Sequence, residues 1–369
     1  MDRLLCILSS MDAGGAETFL MKIYRTINRE KYQMDFCINT YSKCFYEDEI
    51  VSLGGKIYRI PEKSNNIIQF RKQLYNIIKD NNYKYVLRIT SHAVGFMDLK
   101  IAKKAGAIIC CARSSNSSDG KGIVTIILHV IGRFLYQKYV DVKIAPSDLA
   151  AIYTFGSAEY KSSKVKILQN GLDLSTYKFN AQNRKALREE LNIPDNTFVV
   201  GHIGRFYEQK NHLFLINVFR QIKEIKHDSK LLLIGDGPLY NQVKEEVERL
   251  HIDDSVIFAG VRRDIPQVLS SMDAFVFPSL YEGMPNTVIE AQASGLPCLI
   301  SDTITREANV NGFVKFMSLN ETYQKWAKVT IELPYLDRIK CNQEMKNGQY
   351  DINLVTQKFV KFIFEASND

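Results

Sequence analysis

Two doubly wound α/β domains, each built on a parallel sheet, are what this sequence predicts, and three observations carry the expectation. At 369 residues with 46% hydrophobic content, the chain is too long for one comfortable core and long enough for two ordinary domains. Short apolar runs of strand type alternate with helical stretches along most of its length. The alternation breaks once near the middle and then resumes, which places a linker between two lobes.

In the first lobe Arg3–Ser9, Met34–Thr40, Lys56–Ile60, Tyr85–Thr90, Ala107–Ala112 and Val142–Ala145 read as strands, separated by helices such as Ala16–Arg29 and Ile67–Asn81. Strand and helix in this order give the parallel, doubly wound arrangement. The apolar run at the N-terminus is too short for a signal peptide and reads as the first strand. Around Ile167 the pattern gives way to a polar, turn-rich stretch that runs to Arg184. These signals set a first domain at 1–168, a linker at 169–185 and a second domain at 186–348. In the second domain Phe198–Ile203, Lys230–Ile234, Val256–Ala259, Ala274–Phe277 and Cys298–Ser301 read as strands. Residues 349–369 are set apart as a closing element, an amphipathic helix with Leu354, Val355, Phe359, Ile363 and Phe364 apolar. The cleft between the lobes is the expected ligand site.

Composition narrows the function classes. Seven cysteines without paired spacing predict reduced thiols and a cytosolic protein. No apolar run is long enough to span a bilayer. Charge is uneven: residues 1–175 hold 25 Lys and Arg against 16 Asp and Glu, and residues 176–369 hold 23 against 25. Contributors to the basic excess include Lys22, Arg25, Arg29, Lys31, Lys100, Lys103, Lys104, Lys121, Arg133, Lys138 and Lys143. Beside them Gly122 to Tyr136 is apolar around most of a helix surface. A basic lobe carrying such a segment predicts docking on an anionic membrane surface, although a core helix among solvated lysines would give the same pattern. Nucleic acid is disfavoured, because no zinc spacing or aromatic-interleaved basic motif occurs.

Four constellations carry chemistry. Gly14-Gly15 follows the first strand and opens a helix, where backbone can approach a ligand closely; an ordinary tight turn would look the same. Gly204-Arg205 to Lys210-Asn211 follows the strand ending at Ile203, so two cations stand where a diphosphate could be neutralised. Gly235-Asp236-Gly237-Pro238 is a Gly-rich turn after another strand. The most informative stretch is Glu282-Gly283-Met284-Pro285-Asn286-Thr287 followed by Glu290. Pro285 suits a first helical turn, whose N–H groups and positive dipole end favour phosphate, and Glu290 two turns on can line the same pocket as Glu282. There is no Asp-x-Asp pair to hold a divalent ion, no P-loop and no dinucleotide fingerprint after the first strand.

These motifs, with Phe258-Ala-Gly260 to Asp264-Ile265, Gly295-Leu296-Pro297 and Asn170-Gly171-Leu172-Asp173, resemble the retaining glycosyltransferases of family 4, which have the GT-B fold. The likeness covers nearly the whole chain in order. It implies two Rossmann-like domains facing a cleft, with the C-terminal helix crossing back to the first domain. It also implies a nucleotide diphosphate sugar as donor, a UDP sugar foremost, and a hexose or N-acetylhexosamine moved to a lipid-linked oligosaccharide in bacterial capsular polysaccharide, exopolysaccharide or O-antigen synthesis. On this likeness the protein is cytoplasmic, rests on the inner face of the membrane and needs no metal or cofactor.

Position by position, the resemblance gives Arg205 and Lys210 the donor diphosphate, Glu290 the ribose hydroxyls and Glu282 the hexose. Backbone from Gly283 and Met284 through Pro285, Asn286 and Thr287 lies along the sugar and phosphate. Gly14 and Gly15 approach the donor phosphate, and backbone leading to Asp264 meets the base. The family's front-face chemistry lets the leaving phosphate take the acceptor proton, so no protein nucleophile is required. One departure stands out. Many relatives have a histidine in the loop that here reads Ala112-Arg113-Ser114-Ser115-Asn116, which leaves Arg113 and His92 as the first-lobe candidates for acceptor or donor contact. Two alternatives share the architecture: a UDP-sugar 2-epimerase, which the thin histidine supply opposes, and a catalytically silent sugar-nucleotide-binding partner.

Overall fold

A computed structural model describes residues 1–12, 14–115, 123–346 and 348–366. Asn116, Lys121 and Gly122 of the motifs above lie outside them. The chain divides into two compact units, Met1–Gly171 with Gln349–Asp369, and Leu172–Gly348.

The first unit holds a seven-stranded parallel sheet. Its strands are β1 (Asp2–Ile7), β2 (Tyr32–Ile38), β3 (Ile57–Arg59), β4 (Tyr85–Thr90), β5 (Ile109–Ser114), β6 (Val142–Ala145) and β7 (Val165–Ile167), in the order β3-β2-β1-β4-β5-β6-β7. Alternate side chains of β1 enter opposite cores: Leu4 and Cys6 face one, Leu5 and Ile7 the other. The first of these cores is completed by Ile352, Val355, Phe359 and Ile363 of the last helix, Ile352–Ile363. Asp351 starts that helix by accepting from the N–H groups of Asn353 and Leu354.

The second unit holds β8 (Phe198–Ile203), β9 (Ser229–Ile234), β10 (Val256–Phe258), β11 (Ala274–Phe277), β12 (Cys298–Ser301) and β13 (Val314–Met317), in the order β10-β9-β8-β11-β12-β13. Every pairing is parallel, with Phe198 opposite Ser229 at the start of β8. Val199, Leu232, Phe275 and Cys298 fill one side of the sheet; Val200, Leu231, Val276 and Leu299 fill the other. Both units are therefore α/β with parallel sheets, as expected from the alternation.

Most expected strand bounds shift by one or two residues, and some differences from the sequence expectation go further. β7 and β13 are edge strands of three and four residues, too short to show a period against turn-rich surroundings. β5 begins and ends two residues later than expected, so Arg113 and Ser114 belong to the sheet and not to a loop, with Arg113 opposite Ile89 and Ile144. Within the expected linker, Asn180 caps a helix over Ala181–Glu190 through the N–H groups of Gln182 and Asn183. All seven cysteines are buried free thiols. Among the described residues no helix is long and apolar enough to cross a membrane.

Candidate functional site

In each sheet the strand order reverses beside the unit's first strand, between β1 and β4 and between β8 and β11. Loops leaving the carboxyl ends of two such strands diverge to opposite faces, and the crevice between them is where ligands bind in open α/β sheets.

In the second unit these loops are stitched together. Leu280 donates its N–H to the Gln209 carbonyl at 2.8 Å, the Gln209 side chain donates to the Tyr281 carbonyl at 2.8 Å, and Asn211 Nδ2 donates to the Pro278 carbonyl at 3.2 Å. Asn211 adopts a left-handed φ of 56° to turn the chain from the short 3-10 turn Glu208–Lys210 into the helix His212–Ile225. The result brings Lys210 Nζ within 2.5 Å of Glu282 Oε1 and 4.8 Å from the centre of the Phe277 ring. Both charged side chains are largely sheltered, with 19% and 10% of their surfaces exposed, so their charges are weakly screened. Arg205 is exposed, with its guanidinium carbon 4.5 Å from the centre of the Tyr207 ring; an exposed arginine fork suits an anion.

The Gly-rich turn after β9 supports this loop. Gly235 has φ 136°, and a Cβ there would collide with the Gly204 carbonyl oxygen. Phe206 donates its N–H to the Asp236 carbonyl, and Gly235 donates to the Gly260 carbonyl, so the loops after β8, β9 and β10 are tied edge to edge. Asp264 is held by Arg262 through bonds of 2.8 and 2.6 Å, which keep its carboxyl below the usual range, and its carbonyl accepts from Gln267 and Val268 at the start of the next helix.

The helix Asn286–Ala293 begins where Pro285 predicts, with Pro285 at its N-cap and its carbonyl accepting from Val288 and Ile289. The positive dipole end of this helix therefore starts at Asn286 and Thr287, four and five residues after Glu282. Glu290 follows one turn later and is half-buried.

Two histidines that the sequence did not single out lie beneath Lys210. His202 Nδ1 is 2.9 Å from the Val276 carbonyl, and the His212 ring stacks on Phe206 at 4.1 Å. Burial pushes His202 well below its ordinary pKa and His212 down to about 4, and the Lys210 charge adds to both shifts. They pack as neutral rings and leave Lys210 the nearest cation to Glu282. Their only sequence signal is two imidazoles, one ending a β-run and one opening a helix, in apolar surroundings.

The reversal point of the first unit is a polar pocket of about 320 Å³ lined by Ser9, Glu17, Lys63, Arg88, Thr90 and His92 among others. Gly14 is the N-cap of helix Gly15–Thr26, and a Cβ on it would displace the Glu17 carboxylate, which folds back over that helix end. Burial raises the Glu17 carboxyl above its ordinary value. Beneath the pocket the fully buried Asp98 takes Lys63 at 2.6 Å and Arg88 at 3.1 Å, and burial lowers the Lys63 ammonium. Gly14 and Gly15 start the helix beside this pocket and do not line it, whereas His92 lines it with Ala16 and Glu17. Arg113 does not join them: it is 2% exposed, stacks 3.7 Å from the Phe19 ring and donates to Asn170 Oδ1 at 2.6 Å, while burial lowers its pKa to about 9. It anchors the Asn170-Gly171 segment.

Residues 197–333 match the family described as Glycosyl transferases group 1. The chain is 35% identical over 332 residues to putative glycosyltransferase EpsF of Bacillus subtilis, covering 88% of this chain and 86% of that one. Over 153 residues it is 37% identical to the UDP-Gal:alpha-D-GlcNAc-diphosphoundecaprenol alpha-1,3-galactosyltransferase of Escherichia coli, covering 40% and 38% of the two chains. The crystal structure of Anabaena HepE in complex with UDP superposes with a TM-score of 0.79 at 18% identity, over 98% of this chain and 99% of that one.

Proposed function

This chain belongs to the group 1 glycosyltransferases and is a transferase enzyme of GT-B fold, and we propose that it is a retaining, family 4 member that moves a hexose or N-acetylhexosamine from a UDP sugar to a lipid-linked oligosaccharide in bacterial surface-polysaccharide synthesis. The observation that carries this reading is the sheltered Lys210–Glu282 pair beside the first turn of helix Asn286–Ala293, at the reversal point of the second sheet. The Escherichia coli relative, named for UDP-Gal and a diphosphoundecaprenol acceptor, supports the donor and acceptor classes. Relatives that are glycosyltransferases do not favour the epimerase or the silent partner.

In this reading the second unit holds the donor and the first unit the acceptor. Arg205 and Lys210 take the diphosphate, the N–H groups of Met284 to Thr287 take phosphate and sugar oxygens, Glu290 accepts from the ribose hydroxyls and Glu282 from the hexose. As the bond from the anomeric carbon to the phosphate oxygen breaks, negative charge gathers on the leaving diphosphate, where Lys210 and the helix end stabilise it most. The acceptor hydroxyl loses its proton to a leaving phosphate oxygen and bonds the anomeric carbon on the same face, so the product keeps the donor's configuration. Glu17 and His92, which line the first unit's pocket, are the residues this reading assigns to the acceptor. We read helix Ile123–Tyr136 as a membrane-resting face, because Ile127, Leu128, Ile131, Phe134 and Leu135 are exposed together on it.

Calorimetry with UDP, GDP, ADP and their common sugars, first in EDTA and then with magnesium, tests the site. EDTA-resistant binding of one uridine nucleotide that vanishes in Lys210→Ala is the expected result. Binding of no nucleotide, or binding indifferent to Lys210, would overturn it.

A further inference from the structure

A groove in the first unit, between the helices Ile67–Asp80 and Phe96–Lys104, takes no part in the chemistry above. It encloses about 490 Å³. Arg71, Lys72, Lys100 and Lys104 line it, and no carboxylate or amide side chain does. None of the four makes an ion pair among the described residues: Arg71 Nη2 rests 3.4 Å from Met97 Sδ, and Lys100 Nζ stands 5.7 Å from the Tyr136 ring centre. The rest of the lining is apolar or aromatic, with Met97 and Ile101 buried and Ile68 76% exposed. Tyr136, which closes one end, is the last residue of helix Ile123–Tyr136; helical spacing sets it on that helix's inward side with His129 and Gly132, so the groove adjoins the helix whose outer side carries the exposed apolar face.

Four uncompensated cations on one groove repel each other and favour a bound anion. Wall chemistry says which kind. A nucleotide or sugar phosphate would leave the apolar wall unused, and its many hydroxyls would find only those of Tyr75 and Tyr136 as partners in the lining. An amphiphile whose phosphate adjoins hydrocarbon matches both halves of the groove. We propose that this groove is a headgroup site for an anionic glycerophospholipid, with the four cations around the phosphate diester and the glycerol and first methylenes against Ile68, Met97, Ile101 and Tyr136. The proposal rests on the reading of helix Ile123–Tyr136 as a membrane face, and would give that face a fixed orientation by anchoring it at one end.

The test is flotation of the full chain with three kinds of vesicle: phosphatidylcholine alone, phosphatidylcholine with phosphatidylglycerol, and phosphatidylcholine brought to the same surface charge with oleate. The variants are Lys72→Glu/Lys104→Glu in the groove, a milder Lys72→Gln/Lys104→Gln, Phe134→Ser on the apolar face, and Lys358→Glu/Lys361→Glu as an equal charge change on the exposed side of the last helix. Because each basic residue near an anionic surface contributes about fivefold in partitioning, the groove reversal is expected to weaken binding to phosphatidylglycerol vesicles by at least about tenfold, and the control pair by less than about threefold. Wild-type chain is expected to prefer phosphatidylglycerol to oleate at equal charge. Equal loss in groove and control variants, or equal binding to both anionic vesicles, overturns the headgroup site while leaving the membrane face standing. Failure of wild-type chain to bind any anionic vesicle overturns both. A melting temperature unchanged from wild type identifies the variants that are folded, and the Gln pair carries the test if the Glu pair is not.

Discussion

The two sheets reverse their strand order at the same topological place, yet the side chains gathered there differ in kind. At the second unit's reversal a cation and a carboxylate meet at 2.5 Å beside a helix N-terminus, with an exposed arginine on the same loop. At the first unit's reversal two cations, Lys63 and Arg88, are paired to the buried Asp98 and line the pocket together with Glu17, Thr90 and His92. Topology thus fixes where each ligand goes, while side-chain charge decides which ligand it is. On the proposed reading one crevice takes the donor diphosphate and the other the acceptor hydroxyl.

The contrast can be broken from either side. The largest effect belongs to Lys210→Ala, which removes the cation nearest Glu282: turnover is expected to fall 10²- to 10³-fold, about what the loss of one preorganised transition-state donor costs, with UDP affinity falling as well and the melting temperature close to wild type. Near-normal turnover in the folded variant would place the donor elsewhere. Glu290→Ala is expected to lower transfer by about 10²-fold through lost ribose positioning, visible mainly in the donor KM. If acceptor KM moved instead, the assignment of donor to the second unit would fail.

A smaller effect follows from the neutral histidines under Lys210. His212 titrates near 4 when folded, against an ordinary value of 6.5. Below pH 6.5 the unfolded chain binds a proton that the folded chain refuses, so stability is full above that pH and is lost as pH falls toward 4. Between pH 7 and pH 5 this one group removes about 2 kcal/mol, and His202 adds to it in the same direction. Denaturant unfolding at the two pH values measures the loss, and His212→Phe is expected to flatten it. An unchanged slope in that variant would assign the pH dependence to other groups. The smallest expected effect is in the first unit: Glu17→Gln lowers kcat/KM for acceptor about tenfold, within the range of acid–base or positioning losses, and leaves UDP binding unaltered. A change in UDP affinity there would erase the distinction between the crevices.

How much of this was legible in the sequence varies by region. The parallel sheets were, because fully buried strands such as Leu231–Ile234 and Ala274–Phe277 read as continuous apolar runs. So was the helix start at Pro285, where local backbone preference and tertiary structure agree. The edge strands β7 and β13 were not, since short edge elements borrow their order from a neighbour. Arg113 looked like a loop cation because arginine beside two serines reads as exposed; only the ladder shared with Ile89 and Ile144 reveals that it is inside. The Lys210–Glu282 contact spans 72 positions and depends on how two loops are tied, which no local pattern encodes.

The last helix carries a consequence for how the molecule is made. Ile352, Val355, Phe359 and Ile363 complete a core whose other members begin at Leu4, and they leave the ribosome after all of Leu172–Gly348 has been synthesised. The second unit is one unbroken stretch and has its whole core available as soon as it emerges. The first unit, although translated earlier, keeps an apolar face open throughout that interval. A chain stalled before that helix would therefore present a finished second unit joined to an adhesive first unit, making the nascent protein most prone to aggregation until Ile352–Ile363 emerges.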